Sequence, residues 1–157
     1  MGSASCKSKN PTWEYRILVE QEKQKLLSEM KIELASLRKR VEFYDIWRYW
    51  EVNKSGGFYF DADVDCIEPL VEYETYFKGT LEIDMIIGVE IGPNVFNSVQ
   101  FLQWQFASVP NNPILHEVLD EIKRRLQPGV VEQLNNNSGD PFQVWRRETL
   151  LRTGPAV

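Results

Sequence analysis

The apolar positions of this chain follow two periods. Leu26, Leu27, Met30, Leu34, Leu37 and Val41 recur three and four residues apart among Glu, Lys and Gln. That spacing lines one face of a helix, and the intervening residues are strong helix formers. A helix over residues 20–40 is predicted. Phe43, Ile46, Trp47, Trp50 and Val52 predict a second helix over 41–53, stopped by the run Asn53, Lys54, Ser55, Gly56, Gly57. After the break at Pro110 and Pro113, Ile114, Leu115, Val118, Leu119, Ile122 and Leu126 predict a third. Asp140-Pro141 would cap a last helix reaching Leu151.

Shorter stretches read as strands. Residues 13–19 alternate after the turn signal Asn10-Pro11-Thr12, and Phe58-Tyr59-Phe60 reads as a buried strand. Residues 77–90 suggest a hairpin or two strand pieces turning near Lys78-Gly79, with 84–90 the better strand. The aromatic and glutamine-rich stretch 94–109 is expected to be a helix packed on the sheet. Alternating helices and strands indicate the α/β class.

Composition narrows the function. At 157 residues with 43% hydrophobic residues, one domain with a real core is expected. The 18 basic residues against 23 acidic ones leave a net charge of −5, which argues against a general nucleic-acid binder. A phosphorylated small molecule stays open, because a bound cation reverses the local field. No stretch reaches the length of a membrane anchor or the apolar core of a signal peptide. Residues 1–9 are expected to be a flexible tail or cloning remnant. Cys6 and Cys66 allow one disulfide, but Cys66 in its apolar setting reads better as a buried thiol. The glycosylation triplets at Asn53 and Asn136 are short enough to arise by chance.

The chemistry concentrates where the strand 58–60 runs out. Asp61 and Asp63 stand two residues apart, on one face if the strand stays extended. A turn there would change their backbone geometry and still allow one shared cation. Hard oxygen ligands favour Mn²⁺ or Mg²⁺, which suits a phosphorylated donor. Asp65 reads as a turn or supporting residue. Asp45 and Arg48 lie three apart on the aromatic-rich second helix, either as a structural ion pair or as contacts to a ligand. His116 reads as a helix-surface or core residue. No His/Cys cluster supports zinc, and Gly56-Gly57 matches neither nucleotide-loop pattern.

At these residues the chain resembles the glycosyltransferase family that carries a DXD sugar-binding region, and within it the fungal-type α-1,6-mannosyltransferases. The resemblance runs through Asn10-Pro11-Thr12-Trp13, Asp45-Ile46-Trp47-Arg48-Tyr49 and Gly56-Gly57-Phe58-Tyr59-Phe60-Asp61-Ala62-Asp63. Ile87-Gly88-Val89-Glu90, Gln103-Trp104-Gln105-Phe106-Ala107 and Thr153-Gly154-Pro155 extend it. It implies a GT-A-like nucleotide-sugar-binding fold and a retaining transfer, with GDP-mannose as donor and a glycan or glycolipid acceptor in the Golgi or ER lumen. Asp63 would coordinate Mn²⁺ on the diphosphate, with Asp61 on the ribose or sugar. Asp45 and Arg48 would hold the sugar ring, and Tyr59 would belong to the same donor site. Glu90 and Asn97 are candidates for the acceptor edge; no catalytic nucleophile stands out. Nine residues precede Asn10 where family domains carry a base-holding strand, so residues 10–157 are expected to form a partial or minimal domain, shortened at both ends. A non-catalytic remnant and a small metal-dependent phosphohydrolase are the alternatives.

Overall fold

A computed structural model describes residues 2–17, 20–33, 36–37, 40–73, 83–91 and 100–130. Their order is α1 (Gly2–Lys9), α2 (Glu20–Met30), α3 (Arg40–Ser55), β1 (Gly57–Phe60), β2 (Met85–Ile91), β3 (Gln100–Ser108) and α4 (Pro113–Arg125). The three strands form an antiparallel sheet in the order β1-β3-β2. The class is α/β, as expected. The anticipated hairpin turn at Lys78-Gly79, the last helix at 140–151 and the segment 153–155 lie outside the described residues.

The helices stop for local reasons. α2 ends ten residues before the predicted boundary. Lys31 takes a left-handed φ of 55°, and the Lys31 and Ile32 amides donate back to the Ser28 and Leu27 carbonyls at 3.1 and 2.9 Å. This is the Schellman pattern, and it buries Leu27 with Ile32. Lysine stands where glycine would have signalled the stop. α3 ends at Gly56, whose φ is +68° and whose amide donates to the Val52 carbonyl at 2.8 Å. A Cβ there would meet Pro110 Cδ at 2.8 Å, so both conformation and space demand glycine. α4 begins as predicted. Asn112 Oδ1 accepts from the Ile114 amide at 2.9 Å, and Pro113 opens the first turn.

Two expected elements are corrected. Residues 13–17 form no strand; Trp13 packs instead on Phe58 at 5.4 Å, and Arg16 pairs with Glu22 and Glu51. Within the stretch expected to be a helix over 94–109, residues 100–108 are the central strand β3. Phe101, Trp104 and Phe106 favour strands, and pairing on both edges fixes the choice. Tyr59 lies opposite Phe106, and Ile87 lies opposite the same residue on the other side.

The sheet has two unlike faces. On one, α2, α3 and α4 enclose a core that includes Leu26, Phe43, Ile46, Phe106, Leu115 and Ile122. Tyr59, Met85 and Ile87 face this core. On the other, Phe58 and Phe60 stack at 6.0 Å and pack with Trp13 on a small group of Cys6, Cys66 and Leu70. Two clefts of about 400 and 390 Å³ open there, with Phe58, Ile86 and Ala107 lining both. Where a flexible tail was expected, α1 joins this face through a Cys6–Cys66 disulfide; Cys66 is not a free thiol.

Candidate functional site

The site starts from the alternation of β1. Phe58 and Phe60 turn away from the helices, so Tyr59 turns toward them. Asp61 extends the pairing by one amide, which donates to the Trp104 carbonyl at 2.9 Å. Its carboxylate accepts from the Tyr59 hydroxyl at 2.6 Å. The chain then turns, closed by the Val64 amide on the Asp61 carbonyl at 3.0 Å. Asp61 and Asp63 are therefore not partners on an extended strand; the turn alternative is the observed one.

Asp45 and Arg48 come from the buried face of α3. Arg48 Nη2 lies 3.0 Å from Asp45 Oδ1, and the two side chains are only 6% and 3% exposed. Arg48 Nη1 reaches Asp61 Oδ1 at 3.5 Å and donates to the Gln103 carbonyl at 3.0 Å. Its Nε donates to the Tyr44 carbonyl at 3.4 Å, and its guanidinium sits 5.2 Å from the Tyr59 ring centre. A buried guanidinium is tolerated only when its charge is paired and its donors are used. Here two carboxylates and two carbonyls do that. The ion-pair reading of Asp45 and Arg48 is thus realised, and the pair connects directly to Asp61. Gln103 and Tyr44 contribute through main-chain oxygens, which no side-chain motif could have announced.

The surroundings hold the hydroxyls protonated. Burial pushes the Tyr59 phenol above its ordinary range; the Arg48 charge opposes this only in part, and the hydrogen bond to Asp61 adds to the rise. Burial raises Tyr49 as well, and its hydroxyl donates to Gln103 Oε1 at 3.4 Å. Tyr59 is therefore a permanent donor to Asp61 at neutral pH.

Exposure separates the members of this cluster. The Asp61 side chain is 33% exposed and forms the outlet of a buried network. Asp63 is exposed at the turn and makes no hydrogen bond or ion pair among the described residues. Asp65 accepts from Ser5 Oγ at 2.9 Å, as a supporting turn residue. Glu90, near the end of β2, is exposed and accepts from Gln100 Nε2 at 2.7 Å, with no link to the Arg48 cluster. Asn97 lies outside the described residues. His116 is exposed on α4, 3.4 Å from Asn53 Nδ2. Asn53 is buried, which disfavours its glycosylation triplet; Asn136 lies outside the described residues.

The donor set suits a cation that brings ligands of its own. Among the described residues no three His, Cys, Asp or Glu side chains converge as a cage. Mg²⁺ and Mn²⁺ in phosphate chemistry need only one or two carboxylates, with substrate phosphates and water completing the shell. An unpaired Asp63 beside a partly open Asp61 fits that requirement.

Residues 2–87, more than half of the chain, match the family described as glycosyltransferase sugar-binding region containing DXD motif. The chain belongs to this family. It is also similar to the initiation-specific alpha-1,6-mannosyltransferase of Candida albicans, at 22% identity over 172 residues. That match covers 95% of this chain and 43% of the relative, so the chain spans less than half the relative's length. Asp61-Ala62-Asp63 lies within the matched residues, and its first aspartate pairs with Arg48. Among the described residues no helix is long and apolar enough to cross a membrane.

Proposed function

We propose that this chain is a metal-dependent, retaining glycosyltransferase domain. It takes a sugar from a nucleotide donor, mannose from GDP-mannose, and passes it to a glycan acceptor. The observation that carries the reading is the contrast within one motif. Asp61 is tied to the buried Arg48–Asp45 pair, while Asp63 is left free at the surface. A donor needs both a rigid wall for its sugar and an unengaged carboxylate for its diphosphate.

Asp63, with help from Asp61, would hold Mn²⁺ or Mg²⁺. Bound there, the cation supplies Lewis-acid stabilisation of charge on the leaving diphosphate. Arg48 and Asp45 would orient the sugar ring, lowering the entropic cost of reaching the acceptor hydroxyl. Tyr59 keeps Asp61 in place through its hydroxyl. Glu90 and Asn97 would border the acceptor. The Cys6–Cys66 bond supports an oxidising compartment such as the Golgi or ER lumen, because cytosolic thiols stay reduced.

Calorimetry with GDP-mannose and UDP-sugars, with and without Mn²⁺, tests the donor and the metal together. Sugar transfer by the same chain tests the activity. Asp63→Ala should lower metal-dependent donor binding or transfer by about 100-fold or more, since a phosphate-bound cation is worth several kcal/mol. Its unfolding free energy should change by no more than about 0.5 kcal/mol, as for an exposed side chain with no partners. Metal-independent binding, or an Asp63→Ala variant as active as the parent, would overturn the reading.

A further inference from the structure

The loop that carries Asp63 is held from the far end of the chain. Asp61 is anchored on one side of Asp63 by Tyr59 and by the Trp104 carbonyl. On the other side, besides the turn bond from the Val64 amide to the Asp61 carbonyl, the loop is joined to α1 and the residue that follows it. Ser5 Oγ donates to Asp65 Oδ1 at 2.9 Å and accepts from the Cys66 amide at 3.0 Å. Cys6 is joined to Cys66 with Cα atoms 4.7 Å apart, across 60 residues of sequence. Asn10 Oδ1 accepts from the Leu70 amide at 2.7 Å, and Asn10 Nδ2 donates to the Cys6 carbonyl at 2.8 Å.

We infer that α1 is a positioning strap for this loop. Ser5, Cys6 and Asn10 fix the loop after Asp63, so that its free carboxylate is held where the cation of a nucleoside diphosphate sugar binds. The inference rests on the donor reading above. Packing alone is a poor candidate for the same task. Cys6, Cys66 and Leu70 are the buried apolar side chains of this group, and Ile67 at the middle of the loop is 83% exposed. Such a segment opens locally unless specific bonds close it. The strap's bonds run to Asp65, Cys66 and Leu70, whereas those of Arg48 run to Asp45, Asp61, Gln103 and Tyr44, so the strap acts on the cation side of the site.

The test compares the full chain with Cys6→Ser/Cys66→Ser and with Asn10→Ala, which keeps the disulfide. Hydrogen exchange should quicken about tenfold or more in peptides covering 61–70, with α3 and α4 still protected. In calorimetry, the dissociation constant for GDP with Mn²⁺ should rise about tenfold or more for the cysteine variant, as when a supporting partner of a metal ligand is lost. Asn10→Ala should move both readouts in the same direction by less. If the cysteine variant fails to fold, Asn10→Ala decides alone. Unchanged exchange at 61–70, or unchanged affinity despite a loosened loop, overturns the strap while the donor reading stands. No Mn²⁺-dependent GDP binding by the parent chain overturns the donor reading itself, and the strap's role with it.

Discussion

The two faces of β1 solve the same problem with different means. Toward the helices, fourteen buried apolar side chains form one core among the described residues, and Tyr59 rests on it. On the opposite face three do so, and Phe58 and Phe60 are only half-buried there. A buried apolar side chain contributes about 1.5–3 kcal/mol, and ordering a residue's backbone costs about 1–2 kcal/mol. The helix side has enough of the first to enclose a charged group. The opposite side does not, and a covalent link with hydrogen bonds completes it. The candidate site lies across this divide, with the Asp45–Arg48 pair on the packed side and the residues after Asp63 bound to α1 on the other.

Removing the charge from the packed side should have the largest effect. Arg48→Ala removes the guanidinium from the buried Asp45 carboxylate, a loss of about 3–5 kcal/mol in unfolding free energy. Arg48→Lys should restore little of it. One ammonium cannot meet Asp45, Asp61 and two carbonyls in the fork geometry of a guanidinium. Denaturant unfolding of both variants checks this. If Arg48→Ala proves as stable as the parent, the helix side does not depend on the pair, and the contrast between the faces weakens.

Much of the packed side was legible in the sequence, because its signals are local. The 3.6-residue period gave α3 and α4 nearly whole, and the break at Pro110 and Pro113 placed the start of α4. Asp45, Arg48 and Asp61 were legible through their spacing and aromatic setting. What escaped depends on tertiary partners. The alternation of Gln with aromatics in β3 became a strand only because β1 and β2 flank it. α2 stopped at a lysine in a left-handed conformation, where only glycine would have been a signal. The pairing of Cys6 with Cys66 joins positions 60 apart, and a short polar helix with no apolar stripe gave no sign of docking.

Tyr59→Phe sharpens the comparison at the point where the faces meet. The variant keeps the ring against Trp47 and Phe106 and removes only the hydroxyl on Asp61. A hydrogen bond to a charged acceptor is worth about 1.5–3 kcal/mol, and partial exposure of Asp61 lets water replace some of it. Stability should fall toward the lower end of that range. Metal-dependent donor affinity should weaken by about tenfold, the equivalent of about 1.4 kcal/mol. A drop in stability with no change in affinity would confine Tyr59 to packing and detach Asp61 from the donor.

The smallest effect should come from the outer surface of α4, and its smallness is informative. Hydrogen bonds from Arg124 and Arg125 draw the Glu121 carboxyl down to about 2. A depressed folded-state pKa contributes stability that is present above the ordinary glutamate range. It is lost as pH falls from about 4.5 toward 2. The Arg124 side chain is 55% exposed and that of Glu121 31%, so screening by solvent keeps that contribution slight. Thermal unfolding of Glu121→Gln beside the parent should show a small deficit at pH 7 that closes as the pH approaches 2. Added salt should shrink it further. A deficit as large as that of Arg48→Ala would mean that the helix side is held by surface charge as much as by packing.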